Sequence, residues 1–346
     1  MSNLETEPRE LVCEAEPALG EPVTLLEPRL VPLGGPRAMT VRRTLPQRGR
    51  SLIGAWCFAD HYGPDDVAAT GGMVVPPHPH TGLQTVSWLF SGEIEHRDST
   101  GAHARVRPGE LNLMTAGSGI QHSEVSVSTL RGPQGSPRST GESDGMLHGV
   151  QLWTALPDSA RHIAPFFENF VPEVFDHEGA QVSVFLGSLL GRESGATAFT
   201  PIVGAQLDLP ANTEIVIPVD ASFEHGVLVD AGPVLLDGVE VPVANIGYRA
   251  PGAESLTLAS GSAPVRLLLL GGEPFGEPIV MWWNFVGRTH DEIVAFREQW
   301  QSEVIDGRNP DGRFGRVAGY DGAALRAPEL PTVRLKPRGR PGAPTG

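Results

Sequence analysis

The sequence predicts an all-β protein built from two similar halves, and three features lead to that expectation. Glycine and proline are abundant, 42 and 32 of 346 residues, and they punctuate short β-branched or apolar runs, as many strands joined by tight turns require. The runs recur at the spacing of a sandwich or barrel. After a polar gap, a second series repeats the first.

The acidic, Pro-rich residues 1–25 read as a flexible N-terminus. Strands are expected over 84–90, 93–97, 103–106, 110–115 and 149–154, separated by Ser91-Gly92, Thr100-Gly101, Pro108-Gly109 and a long polar stretch. That stretch, 126–145, is rich in Ser, Gly and Pro without apolar periodicity and reads as a flexible surface insertion. The second series runs over 181–186, 205–209, 214–218, 226–229, 234–236, 256–258 and 265–270. One long helix is expected over 289–304, where Ile293, Phe296, Arg297 and Trp300 recur at helical spacing and Asp291 and Glu292 occupy the first turn. Residues 321–346, with Arg334, Arg338, Arg340 and Lys336, the sole lysine, read as a disordered, basic, Pro/Gly-rich tail.

Composition narrows the function. A net charge of −15 opposes direct binding to a phosphate backbone, so nucleic acid is not an expected partner. The two cysteines, Cys13 and Cys57, give no disulfide framework and suit a reducing compartment. The opening residues lack a basic start followed by an apolar core, and the longest apolar runs fall far short of a bilayer span, so a cytoplasmic protein without membrane contact is expected.

The chemistry concentrates in two short segments. In His78-Pro79-His80 the flanking prolines oppose helix, and period-two alternation puts both imidazoles on one face of a strand. His122 and Glu124 repeat that spacing after the turn Gly117-Ser118-Gly119, where glycine lets the backbone approach a neighbouring strand. Two such pairs on adjacent strands would close one site. Three imidazoles and a carboxylate suit Fe, Mn, Co, Ni, Cu or Zn, and an octahedral ion would keep two positions open. The third such run, His290-Asp291-Glu292, falls on the expected helix, where residues two apart diverge, and reads as a charged helix start.

These segments resemble the two cupin motifs of pirins: Gly72-(x5)-His78-Pro79-His80, then Gly117-Ser118-Gly119-Ile120-Gln121-His122-Ser123-Glu124. The likeness continues through Val41-Arg42-Arg43, Glu95-His96-Arg97-Asp98-Ser99, Pro108-Gly109-Glu110, Met114-Thr115-Ala116-Gly117, His148-Gly149-Val150-Gln151-Leu152-Trp153 and 272–280. It implies a bicupin: an N-terminal metal-binding cupin over 26–165, a C-terminal cupin without metal over 166–320, and Fe(II) or Fe(III) held by His78, His80, His122 and Glu124. His225, the lone histidine of Phe223-Glu224-His225-Gly226, then reads as a structural or surface residue. Where family members often carry Arg, an aromatic and Glu after the His-Pro-His, this chain has Thr81, Leu83 and Gln84, which alters the entrance chemistry.

The resemblance implies two kinds of activity. One is dioxygenation of a flavonol such as quercetin, with O2 as co-substrate, carbon monoxide as a product, and Glu124 taking the substrate's hydroxyl proton. The other is a redox-sensing module whose iron charge is read by a protein partner, a transcription factor or a metabolic enzyme. A flavonol needs an apolar slot, and Val75, Leu83, Gln84, Val86, Trp88, Met114, Gln151 and Trp153 are candidates to line it, the apolar ones also fitting a barrel core.

Overall fold

The structure, a computed structural model, describes residues 23–33, 39–127 and 145–337. The expected insertion falls mostly outside them, at 128–144, as do 1–22 and 338–346.

Two β-sandwiches stack large sheet to large sheet. In the first half a seven-stranded antiparallel sheet runs in the order Phe166–Phe170, Leu111–Thr115, Leu83–Ser91, Met146–Ala155, Trp56–Asp66, Met39–Leu45, Arg29–Leu33. It faces a four-stranded sheet ordered Val74–His80, Ile120–Ser126, Ile94–Asp98, His103–Val106. The second half repeats the plan with an eight-stranded and a four-stranded sheet. This is an all-β bicupin with a C-terminal helix, as the strand series and the resemblance led us to expect.

Each half fills its interior differently. The second barrel is packed with aliphatic side chains, among them Val182, Leu207, Val227, Val229, Leu267 and Leu269. At the matching place the first barrel holds buried His78, His80 and His122, beside an apolar floor of Val41, Tyr62, Val75 and Leu89. Between the halves the two large sheets share one hydrophobic core. Trp88 stacks on Phe185 with ring centroids 4.7 Å apart, and the Trp56 indole donates to the carbonyls of Val203 and Gly271. The Glu224 carboxylate caps this seam, accepting from the Gly54 amide at 2.7 Å and the Tyr248 hydroxyl at 3.0 Å.

Chain crossings reinforce the seam and depart from the expected boundaries. The strand Thr24–Leu26 pairs with Ile246–Arg249 of the second half, while Phe166–Phe170 pairs with Leu111–Thr115 of the first. The hairpin Val280–Trp282/Phe285–Gly287 returns to the first half, where the Val286 amide donates to the Thr81 carbonyl at 3.1 Å. Such long-range pairings carry no local sequence signal, so period and turn chemistry could not reveal them.

The helix forms as expected, over His290–Trp300, with the Thr289 side chain accepting from the Glu292 amide and Ile293, Phe296 and Trp300 buried. A π turn, Gln301–Ile305, continues it. The tail corrects the sequence reading. Part of it is anchored: Ala327 and Leu335 are buried in the cluster built on the helix, and the Leu325 amide donates to the Pro77 carbonyl at 2.8 Å. Its scattered apolar residues, spaced too widely to register as a periodic run, provide the anchor. His225 is likewise buried, so the surface alternative gives way. No helix among the described residues is long and apolar enough to cross a membrane.

Candidate metal centre

Register brings the two sequence motifs together. The strands Val74–His80 and Ile120–Ser126 pair antiparallel with His122 opposite His78 and Ile120 opposite His80, so the three histidines share the inward face. Their ligand atoms lie within 4.8 Å of one another, and Nε2 of His80 is 3.1 Å from Nε2 of His122. Glu124 lies one step beyond a bulge between His122 and Glu124, and its carboxylate clusters with His122 and His96. A bulge re-aims side chains along a strand, which accounts for the offset of Glu124 from His78 and His80.

The hydrogen-bond pattern assigns the tautomers. Nδ1–H of His78 donates to the Pro76 carbonyl at 2.8 Å, leaving Nε2 as a lone pair, fully buried and with no partner among the described residues. His96 faces His122 through the two Nδ1 atoms at 3.4 Å and donates from Nε2 to Asp98 at 3.1 Å. Asp98 accepts from the Thr100 amide and hydroxyl and from the Ala102 amide. Burial opposes its charge, but the bonds from His96 and Thr100 outweigh that and hold it below the usual range. A charged Asp98 fixes the proton on His96 Nε2, so His96 Nδ1 accepts from His122 Nδ1–H and the His122 Nε2 lone pair turns inward. Carboxylates that orient ligating imidazoles through such bonds raise ligand basicity.

Burial also keeps the rings neutral. It pushes His78 down to about 4 and holds His80 and His122 well below the ordinary value. Neutral imidazoles are the metal-binding form. An orphaned, buried His78 lone pair and two Nε2 atoms at close to the ligand–ligand spacing of a coordinated cation fit a divalent transition metal. A cation there would also satisfy the His78 nitrogen, which among the described residues has no other partner.

The large sheet supplies the opposite wall. Trp153 stands edge-on to His80 at 5.2 Å and stacks on Phe58 at 4.0 Å, and the Tyr62 hydroxyl is buried with no partner among the described residues. Burial, then the nearby Glu124 charge, raises the Tyr62 pKa well above its ordinary value. Gln151 shares this face, accepting from the Ser87 hydroxyl at 2.9 Å, and Met114 pairs in register with Thr85 on it. Val75 and Leu83 are buried. Two other expected lining residues point away. Gln84 donates to Thr115 and to the Thr197 carbonyl of the second half, and the Trp88 indole donates to Gln206 at 2.7 Å. Both belong to the seam, on the opposite face of their strand from the histidines, as does Val86 by the same alternation.

Comparison with known proteins agrees with this architecture. The pirin family model matches residues 38–154 and the model of the pirin C-terminal cupin domain matches 204–306. The chain belongs to the pirin family. It is 38% identical over 88% of its length to a Pseudomonas aeruginosa protein provisionally named quercetin 2,3-dioxygenase, covering 89% of that protein. A pirin-like protein of Caulobacter vibrioides is 34% identical over 76% of the chain and 88% of its own length. Among solved structures, a quercetin 2,3-dioxygenase from Acinetobacter baumannii superposes with a TM-score of 0.79 at 36% identity, over 90% of this pirin and 97% of that chain.

His96 and Asp98 are the site residues that sequence reasoning passed over. Their signals are His-x-Asp spacing and the pirin-like run Glu95-His96-Arg97-Asp98-Ser99, and a role at the site follows only once Ile94–Asp98 is known to pair with Ile120–Ser126, placing His96 opposite Glu124 and Asp98 opposite His122.

Proposed function

We propose that this pirin is a mononuclear-metal dioxygenase of the quercetin 2,3-dioxygenase type, with iron held by His78, His80, His122 and Glu124. The observation that carries the reading is the convergence of three buried, neutral imidazoles, with the His78 Nε2 lone pair unpartnered among the described residues and Nε2 of His80 and His122 3.1 Å apart. The names of the relatives support the substrate class. Zn, Mn, Ni, Cu and Co would also suit the donor set.

Bound there, the metal would supply Lewis acidity toward a flavonol's 3-hydroxyl and neighbouring carbonyl. The protein does the rest. Glu124, set beyond the bulge and offset from His78 and His80, takes the hydroxyl proton. Asp98 and His96 hold His122 in one tautomer throughout. Trp153, Phe58 and Met114 keep water from the reacting face, and Gln151 and the Tyr62 hydroxyl offer polar contacts for the substrate's remaining oxygens. The overall change consumes one flavonol and one O2, opens the central ring to an ester and releases carbon monoxide.

Replacing Glu124 by Gln tests the assignment. Iron content should fall modestly, since three imidazoles remain, while quercetin loss followed by absorbance should drop by about 100-fold or more, the usual contribution of a positioned base. Full turnover in iron-loaded Glu124→Gln would remove Glu124 from the chemistry.

A further inference from the structure

A second group of metal-binding side chains lies on the far side of the large sheet from the first. His61 and His148 are on paired strands, Trp56–Asp66 and Met146–Ala155, with His61 opposite Val150. Both point to the seam, where Asp230 from the second half's strand Glu224–Ala231 meets them. Nε2 of each ring is 2.7 Å from Asp230 Oδ1, and the two Nε2 atoms are 3.2 Å apart. His61 and Asp230 side chains are 1% and 2% exposed, and His148 is 15% exposed, which leaves an approach from one side.

We propose that His61, His148 and Asp230 form a second divalent-metal site that clamps the two cupins together. The donor set is two imidazoles and one carboxylate, the composition of facial sites that hold zinc or ferrous ions with open positions. The triangle fits the size. An ion about 2.1 Å from all three donors would stand about 1.3 Å off their plane, against about 1.2 Å for the face of a regular octahedron with the same bonds. Without an ion, the two imidazoles share one carboxylate oxygen at 2.7 Å each; with one, three lone pairs would converge on a charge.

The surroundings define the ion's other contacts. Arg266 reaches the second oxygen, Oδ2, of Asp230 at 3.4 Å, and Phe90 packs its edge against both rings. Arg42 lies close on the first-half side and donates to the Gly63 carbonyl at 2.6 Å. Two guanidiniums beside a divalent ion favour an anion or hydroxide at its open positions over further neutral water. The donors come from both halves, so occupancy would stabilise their docking and not the barrel chemistry, which lies across the sheet.

Zinc titration of the metal-stripped full chain tests the site. Asp230→Asn and His148→Gln should each bind one zinc equivalent per chain fewer than the parent. In the His78→Ala/His122→Ala background, zinc should still raise the melting temperature, and adding His148→Gln should abolish that rise. Were the trio merely structural, His148→Gln would lower the melting temperature equally with and without zinc, which would also count against the proposal. Equal zinc stoichiometry in parent and Asp230→Asn would overturn the proposal and leave a hydrogen-bonded contact only. If the background variant does not fold, the parent and His148→Gln stoichiometries decide.

Discussion

Nδ1 of His96 and Nδ1 of His122 lie 3.4 Å apart inside the first barrel, and through that contact Asp98 governs which nitrogen of His122 faces the centre. A residue on the neighbouring strand, opposite His122, thus sets the tautomer of a candidate ligand through His96. His96→Ala should weaken metal binding by about 10- to 100-fold, the usual consequence of removing an orienting partner. Competition against a chromophoric chelator measures it, and an unchanged affinity would show that His122 is oriented without His96.

Acid should destabilise the metal-free protein through the same cluster. The folded state lowers His78 from 6.5 to about 4, so its contribution is full above pH 6.5 and disappears as pH falls toward 4. That shift amounts to about 3 kcal/mol for a group that must be neutral to stay buried. His80 and His122 shift in the same direction and add to the effect. Melting temperatures of chelated protein between pH 7 and 4 should fall steeply, and the slope should flatten in His78→Ala.

Gly82 marks where the C-terminal hairpin meets the metal strand. Its φ is +67°, and a Cβ there would come 2.4 Å from the Val286 carbonyl oxygen. Gly82→Ala should therefore cost about 1–3 kcal/mol in backbone strain and push the 280–287 hairpin off Thr81, the residue after His80. Thermal unfolding together with metal content checks both consequences; wild-type values for the two would mean that the hairpin is not held there.

Trp88 distinguishes seam from pocket. Trp88→Ala should destabilise the protein by about 3–5 kcal/mol through loss of its stack on Phe185, as large-to-small core changes do. Metal content and quercetin affinity of the folded fraction should stay at parental levels. A selective loss of quercetin binding would return Trp88 to the substrate wall.

Some of this was legible in the sequence because it is local. His78-Pro79-His80 announces a strand with two rings on one face, and the second dyad follows a glycine turn. Alternation alone could not say which face of 84–90 looks inward, so Gln84 and Trp88 were grouped with residues they oppose across the strand. His96 and Asp98 acquire meaning only through the pairing of Ile94–Asp98 with Ile120–Ser126. The anchoring of Leu325 to Pro77, and the meeting of His61 and His148 with Asp230, depend on contacts between distant parts of the chain.

Gas and oxygen accounting tests the central claim most directly. Protein loaded with ferrous iron, mixed anaerobically with quercetin and then exposed to O2, should consume one O2 and release one carbon monoxide per quercetin lost, with neither seen in His122→Ala. Iron bound by the parent with no O2 uptake and no carbon monoxide would contradict a flavonol dioxygenase.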